Sequence, residues 1–418
     1  MFLPSTYVAA LLLTILSMLC WGSWANTQKL TGKWRFELFY FDYAFGVLVC
    51  AIVAAFTFGS MNPHELGVMD LLALTAKRKM VWAVAGGVVF NLANMLLVAA
   101  ISVAGMAVAF PIGIGLALVI GVVWNYYLNP QGNPALLFGG VALVAAAIIV
   151  DALAYKKHAA AKPKAAEVPE PAPESQQMRR RSGSRSSSRS RGPSATKGIV
   201  ISLVSGILMG SFYPLVQIAR TGEDGVQPYA DALLFAAGVF FSTFLFNFFF
   251  MMMPVQGDSV GVPDFFRGTK KQHLLGVVGG IIWCIGAISN FTASSAPAHV
   301  QVGPAVSYAM GQGATLVSAL WGLLVWKEFQ GAQPKVKQLL TLMLILFAVG
   351  LGMISIAASE PWKCTASAMS ARAGISASDQ RRPSWKGSQS PEGWISTSSV
   401  VTTAQPPSAL MPRISASA

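Results

Sequence analysis

The sequence predicts an all-α integral membrane protein in which about ten transmembrane helices form two inverted five-helix repeats. The first observation is composition: of 418 residues, 54% are hydrophobic and only 11% are charged, whereas soluble proteins average about 25% charged residues. The second is that apolar runs of bilayer-spanning length, about 20 residues, recur along the chain. The third is that motifs of the first half return in the second. This composition excludes an ordinary soluble enzyme, whose surface needs far more charge.

Each predicted helix is an apolar run bounded by a polar connection. In chain order the runs are residues 5–26, 41–58, 81–102, 106–127, 135–155, 198–218, 229–254, 274–295, 300–326 and 336–357. The first run lacks a basic N-terminal segment and more spans follow it, so we expect a retained helix rather than a cleaved signal peptide. The third and fourth runs, and the eighth and ninth, are expected to form tight hairpins.

Polar sequence accumulates in two places and divides the chain. Residues 1–155 are the first predicted repeat and residues 198–357 are the second. Residues 156–197 form a basic linker rich in Arg, Ser and Pro, and residues 358–418 form a Ser-rich tail. Neither polar segment can bury a core, so both are expected to be disordered.

The net charge of +13 is concentrated in the linker, which holds 11 of the 30 Lys and Arg residues. A basic excess can indicate nucleic-acid binding, but no RNA-binding module accompanies the run RRRSGSRSSSRSR, so nucleic acid is not an expected partner. A phosphorylation-controlled switch remains the alternative to a plain solvated linker. Because Lys and Arg prefer the cytoplasmic side, the linker is predicted to be cytoplasmic and both termini to lie outside.

Four motifs recur in the same order in the two halves. WGSW at 21–24 corresponds to MGSF at 209–212, YFD at 40–42 to YAD at 229–231, GGVVFNLAN from Gly86 to GGIIWCIGA from Gly279, and FPIGIG at 110–115 to YAMGQG at 308–313. A repeated unit of five spans crosses the membrane in opposite directions in its two copies. Such inverted repeats are typical of secondary transporters that work by alternating access.

The segments WGSWANTQKL, WRFELFYFDYAFG and GGVVFNLANMLLVAAISVAGMAVAFPIGIG resemble the ureide permease family. That family belongs to the drug/metabolite transporter superfamily, near the glucose/ribose porters. The resemblance implies the ten-helix fold of that superfamily, and proton-coupled import of allantoin and related oxo-heterocycles such as uracil, at the plasma membrane. Plant members carry a phosphate-binding glycine loop in the central connection, whereas this linker has no GxxxxGK[ST] sequence.

Two acidic residues are candidates for proton coupling, because ionisable groups inside a membrane are costly and often functional. Asp42 lies at the start of the second span, and Asp231 is its expected counterpart in the repeat. The alternative for Asp42 is an interfacial acid paired with Lys33 or Arg35.

Two further acids lie at the predicted cytoplasmic ends of their spans. Asp151 is expected to anchor its helix beside Lys156, and Glu328 to do so beside Lys327.

A ureide or pyrimidine is a flat, neutral heterocycle rich in N–H and C=O groups, so its site should combine amides with an aromatic face. The alternatives are that the amides join helices within the bundle and that the aromatics belong to the interfacial belt. The amide candidates are Asn91, Asn94, Asn290 and Gln312, and the aromatic candidates are Trp21, Trp24, Tyr213, Trp283 and Tyr308.

The proline and glycine residues of the fourth and ninth spans suggest two local features. Pro111 and Pro304 could break their helices and expose carbonyl groups near the middle of the membrane, or merely kink them. The glycines of GIG and GQG are expected to allow close helix packing.

No enzyme constellation is present. The four histidines are scattered, no HExxH or Ser-His-Asp arrangement can be recognised, and the four cysteines form no CxxC motif. No metal or cofactor is therefore expected. The partners expected are a small neutral heterocycle, protons and membrane lipid, with the oligomeric state open. Two other functions remain: a sugar porter or metabolite exporter of the same superfamily, and a membrane scaffold that uses the Arg-Ser loop.

Overall fold

The structure is a computed structural model that describes residues 1–32, 34–61, 66–104, 106–161, 195–254, 258–297 and 299–359. All regular secondary structure in these ranges is helical, which confirms the predicted all-α class. Most of the predicted linker, the predicted tail from residue 360 onward and Lys33 lie outside the described residues.

Fourteen α-helices are described, and a 3₁₀ turn at Phe58–Ser60 and a π-helical segment at Trp321–Val325 accompany them. Their bounds are α1 Tyr7–Ser23, α2 Ala25–Leu30, α3 Phe36–Phe56, α4 Val68–Leu74, α5 Lys77–Ala104, α6 Met106–Leu128, α7 Pro134–Ala161, α8 Ala195–Arg220, α9 Pro228–Met252, α10 Val262–Phe266, α11 Lys270–Ser294, α12 Pro304–Gln312, α13 Ala314–Leu320 and α14 Pro334–Ser359.

In the described part of the chain, nine helical segments are long and apolar enough to cross a membrane, and α6 adds a shorter apolar stretch at Ile112–Leu128. These ten elements coincide with the ten predicted spans. The second predicted span begins earlier than expected, at Phe36. Large apolar side chains such as Leu245 and Val81 are about two-thirds exposed, and such surfaces are stable when lipid rather than water covers them.

The ninth span is broken at a glycine and not at its proline. Pro304 is the first residue of α12, a position where the missing N–H has no helical partner to lose. The interruption falls at Gly313, between α12 and α13. Pro304 therefore neither breaks nor kinks the ninth helix, and α6 continues as a helix through Pro111.

Helix packing follows a regular exchange between the two halves. The contact between α5 and α8 has a counterpart in the contact between α1 and α11. In the same way, the contact of α5 with α9 corresponds to that of α11 with α3, and the contact of α6 with α8 corresponds to that of α12 and α13 with α1. The pairs α7 with α14, and α3 with α9, complete the pattern. Within these pairs, replacing each spanning helix by the one five spans away gives either the other contact of the pair or the same contact. The contacts of α9 with α11 and of α8 with α9 do not take part in this exchange.

Two glycines let backbones approach closely at equivalent places in this pattern. A Cβ atom on Gly87 of α5 would overlap the Phe235 carbonyl of α9, and a Cβ on Gly280 of α11 would overlap the Tyr43 carbonyl of α3. The predicted match between the segments starting at Gly86 and Gly279 aligns these two glycines with one another.

The contacts of Gly87 and Gly280 change which residues of the second and seventh spans correspond to one another. Because Gly87 meets Phe235 where Gly280 meets Tyr43, Tyr43 corresponds to Phe235. Asp42 then corresponds to Leu234 and not to Asp231. The sequence match of YFD with YAD is therefore displaced from the packing match by almost one helical turn.

We expect Gly87→Ala to reduce the yield of folded protein, because the new methyl group would overlap backbone that cannot rotate away. Overpacking a tight contact costs about 1–3 kcal/mol. Gly352→Ala is the matched control, since a Cβ there meets no atom within 4 Å and alanine favours helix by about 1 kcal/mol. Thermal unfolding in detergent measures both, and equal stability of the two variants would contradict the proposed close approach.

Candidate functional site

A cavity of about 170 Å³ lies between α1, α5, α8, α11 and the α12–α13 break. The two halves of the chain both contribute to its wall. Five of the predicted substrate residues line it: Trp21, Trp24, Asn94, Trp283 and Gln312. We call this space the central cavity.

Aromatic rings form a continuous part of the wall of the central cavity. The rings of Trp21 and Trp283 stack at a centroid distance of 5.9 Å and an interplanar angle of 16°, and Phe90 lies 4.4 Å from Trp283. The Trp21 indole N–H donates a 3.2 Å hydrogen bond to the Trp283 carbonyl. Stacking and this hydrogen bond hold the rings in fixed orientations, so the cavity presents a preformed flat surface.

Two amides provide the polar part of the same wall. Asn94 Nδ2 donates to Tyr40 Oη at 3.1 Å, which orients the Asn94 amide. The Gln312 side chain is 8% exposed and makes no hydrogen bond to any residue that the structure describes. A buried amide without a protein partner is costly unless water or a ligand satisfies it. Gln312 can therefore donate to and accept from a molecule in the central cavity.

Asn91 and Tyr308 lie elsewhere, in contacts between helices. Asn91 Nδ2 donates to Ser242 Oγ at 2.8 Å and to the Val239 carbonyl of α9. Tyr308 Oη lies 3.1 Å from the Ala117 carbonyl of α6. Both side chains are fully buried, and their contacts fit the alternative that they join helices.

Tyr213 and Asn290 bond to one another across α8 and α11. Tyr213 Oη donates to Asn290 Oδ1 at 2.6 Å, and Asn290 Nδ2 donates to the Ser307 carbonyl at 3.0 Å. Neither residue lines the central cavity. Their hydrogen-bonding groups are occupied by neighbouring helices, so the structure separates them from the residues that line the central cavity.

Several residues that line the central cavity were not predicted. Phe90 lies one turn before Asn94 on α5, and Thr315 and Ser318 follow Gln312. Helical periodicity could have found Phe90, because residues four apart share a helix face. Thr315 and Ser318 could not be found in this way, since the helix is interrupted between them and Gln312.

A second cavity, of about 290 Å³, continues from the central cavity. Both are lined by Trp24, Asn94 and Thr315. The second cavity extends past Gln28 to Tyr155, near the face where α7 ends and α8 begins. We call this face the linker face, and it is the side predicted to be cytoplasmic.

The Asp42 carboxylate contacts a histidine and not the basic residues that precede its helix. Asp42 Oδ2 lies 2.7 Å from His273 Nδ1 at the start of α11. Arg35 Nε donates instead to Glu37 at 3.0 Å. The predicted alternative of an Asp42–Arg35 pair was therefore wrong, because α3 begins near Arg35 and the nearby Glu37 carboxylate engages its guanidinium.

Glu328 contacts two groups at the linker face. It forms an ion pair with Lys29 of α2, and its other oxygen accepts a 2.7 Å hydrogen bond from Tyr155. These contacts connect α2 and α7 to the segment before α14. Asp151 forms no ion pair with Lys156 or with any other residue in the described ranges, and its anchoring role stays a prediction.

Asp231 is completely buried beside Arg220 at the opposite face. Arg220 Nε lies 3.4 Å from Asp231 Oδ2, without hydrogen-bond geometry. The Arg220 guanidinium also donates to Ser294 Oγ and to the Phe291 carbonyl, both at 2.9 Å. We call Tyr213, Arg220, Asp231 and Ser294 the outer cluster, which joins α8, α9 and α11.

An apolar helical bundle with polar and aromatic cavities at the junction of its two halves is an integral multi-pass membrane protein of the transporter class. Comparison with known proteins shows which proteins the chain resembles. A family model described as "Ureide permease" matches residues 39–197. Ureide permease 1 of Arabidopsis thaliana is 25% identical over 85% of this chain and 98% of that protein. The chain is therefore similar to the ureide permeases over most of its length.

Other relatives extend the same similarity. Ureide permease 4 of Arabidopsis thaliana is 23% identical over 85% of this chain and 98% of its own length. Ureide permease 3 of the same plant is 31% identical over 35% of this chain and 43% of its own length. A solved crystal structure matches 84% of this chain at 16% identity and a TM-score of 0.49. The relatives named here are permeases, which are transporters and not enzymes.

Proposed function

We propose that the protein imports ureides such as allantoin, and related oxo-heterocycles such as uracil, by secondary active transport. The observation that carries this proposal is the central cavity, where stacked tryptophans meet the Asn94 and Gln312 amides. A flat ring stacks on such a wall, and amides satisfy N–H and C=O groups together. The relatives are named ureide permeases, which supports the same substrate class.

Transport is proposed to proceed by alternating access between two inverted repeats. The regular exchange of helix contacts between the halves supports this arrangement. The second cavity extends toward the linker face, and the outer cluster joins three helices at the opposite face. We assign this arrangement to a state open to the cytoplasm, with both termini outside and the protein in the plasma membrane.

Proton coupling is proposed to involve Asp42 and Asp231, which act through contacts between helices. Asp42 of the first half meets His273 of the second half, so a proton exchanged by either group would change a contact between the halves. Asp231 meets Arg220 within the second half. Neither acid lines the two cavities.

Uptake measurements in a permease-deficient host test the proposed function. We expect labelled allantoin or uracil to accumulate, and a protonophore to abolish accumulation. Excess glucose or ribose should not compete, whereas competition would favour a sugar porter. Net loss of substrate from preloaded cells would favour an exporter, and no movement of either heterocycle would contradict the substrate class.

A scaffold that acts through the Arg-Ser loop makes the opposite predictions from a transporter. For a transporter, deletion of residues 179–191 should leave uptake unchanged, because the deletion keeps every residue assigned to the central cavity. Asp42→Asn should impair uptake, because it alters the contact with His273. Loss of function on deletion, together with a silent Asp42→Asn variant, would favour the scaffold.

A further inference from the structure

A carboxylate of α7 lies on the wall of the passage between the central cavity and the linker face. Asp151 lines the second cavity together with Tyr155 and Gln28. Of the acidic residues that the structure describes, Asp151 alone lines the central cavity or the second cavity. A substrate that moves from the central cavity to the linker face passes this carboxylate.

Asp151 also lacks the partners that the other buried acids have. Its Oδ1 atom is buried without a hydrogen bond, and no cation lies within ion-pair distance in the described part of the chain. By contrast, Asp42 meets His273 and Asp231 meets Arg220. An unpaired carboxylate in a membrane-spanning helix is costly, so it needs water, a cation or a proton.

The groups around Asp151 disfavour a fixed negative charge there. Tyr155, one turn later on α7, donates its hydroxyl to Glu328 at 2.7 Å. Glu328 therefore lies beside the same face of α7 as Asp151, and Lys29 of α2 is already paired with Glu328. A metal cation would need several oxygen ligands, whereas a proton removes the charge with no further ligand.

We propose that Asp151 binds the proton that is coupled to substrate movement, an inference that rests on the transport function proposed above. Protonated Asp151 can donate a hydrogen bond to a carbonyl of the passing heterocycle, and ionised Asp151 can accept one from its N–H. The proton leaves the carboxyl oxygen for water in the second cavity, so the step needs no other reactant. Protonation of Asp42 or Asp231 would change contacts between helices, whereas Asp151 would exchange its proton on the path that the substrate follows.

Reconstitution of the full chain in proteoliposomes tests this role. In the native protein, a pH gradient should drive accumulation of labelled allantoin or uracil. We expect Asp151→Asn to lose this gradient-driven accumulation but to retain counterflow, in which labelled substrate exchanges for unlabelled substrate without net proton movement. Asp151→Glu keeps a titratable carboxyl and should retain gradient-driven accumulation. Asp224→Asn, in an exposed loop, should behave like the native protein.

The outcomes distinguish a failure of the Asp151 assignment from a failure of the proposed transport function. Continued pH-driven accumulation by Asp151→Asn would overturn the assignment of the proton to Asp151, as would accumulation driven only by a sodium gradient. Loss of accumulation in Asp224→Asn as well would also overturn it, because the effect would not depend on the cavity. Absence of counterflow in the native protein with both heterocycles would instead contradict the proposed function.

Discussion

Replacement of Gln312 by leucine is expected to abolish most ureide uptake while leaving folded protein in the membrane. Leucine is similar in size but offers no hydrogen bond, and the substrate's polar groups would enter the cavity without this partner. Leaving such a group unsatisfied costs about 1–3 kcal/mol. Since 1.4 kcal/mol is a factor of ten, KM should rise roughly ten- to hundredfold. Initial uptake rates over a range of substrate concentrations measure this change.

Two matched variants show whether the effect belongs to the central cavity. Gln330→Leu changes the same residue type at an exposed position and should leave KM unchanged. Asn94→Leu should raise KM as Gln312→Leu does, because both amides line the central cavity. Native KM values for Gln312→Leu and Asn94→Leu would contradict the proposed site.

Asn91→Leu should have a different effect although Asn91 is only three residues from Asn94. The Asn91 amide holds α5 against α9, so its loss should lower thermal stability more than it changes KM. This contrast separates substrate contact from helix packing within a single helix.

The second large effect is expected for Arg220→Met, which should strongly reduce the amount of folded protein. Arg220 is 5% exposed and Asp231 is completely buried. Removing one member of a buried ion pair costs about 3–5 kcal/mol, because the other charge remains buried without compensation. The variant would also lose the hydrogen bonds to Ser294 and to the Phe291 carbonyl. Thermal unfolding of purified protein in detergent measures the loss.

The double variant Arg220→Met with Asp231→Leu should recover part of the lost stability, because no buried charge remains. The control is Arg267→Met: Arg267 is paired with Asp264 in an exposed position, and surface ion pairs contribute about 0–1 kcal/mol. Equal destabilisation by Arg220→Met and Arg267→Met would show that the outer cluster does not hold α8, α9 and α11 together.

Much of the fold could be predicted because hydropathy is a local property. The charge shortage and the length of each apolar run depend only on neighbouring residues. In the described part of the chain, they located the nine helices long enough to span a membrane and the shorter apolar stretch of α6. The position of the break in the ninth span was missed, because the sequence points to Pro304 and the interruption lies at Gly313.

The candidate site was predictable as a set of residue types and not as a set of positions. The need for amides and aromatic rings led to nine residues, of which Trp21, Trp24, Asn94, Trp283 and Gln312 line the central cavity. The remaining amides and tyrosines have the same chemistry. They differ only in whether a neighbouring helix occupies their hydrogen-bonding groups, and such neighbours are distant in the chain.

The sequence by itself determined that lipid surrounds this chain and that its helices number about ten, because both follow from the composition of contiguous segments. Only the tertiary structure decided how the acids are paired. Asp42 meets His273, which is 231 positions away, Asp231 meets Arg220, and Asp151 is left facing the cavity. The physical reason is that the state of a buried charge depends on which helices pack around it, and that packing is a property of the whole bundle.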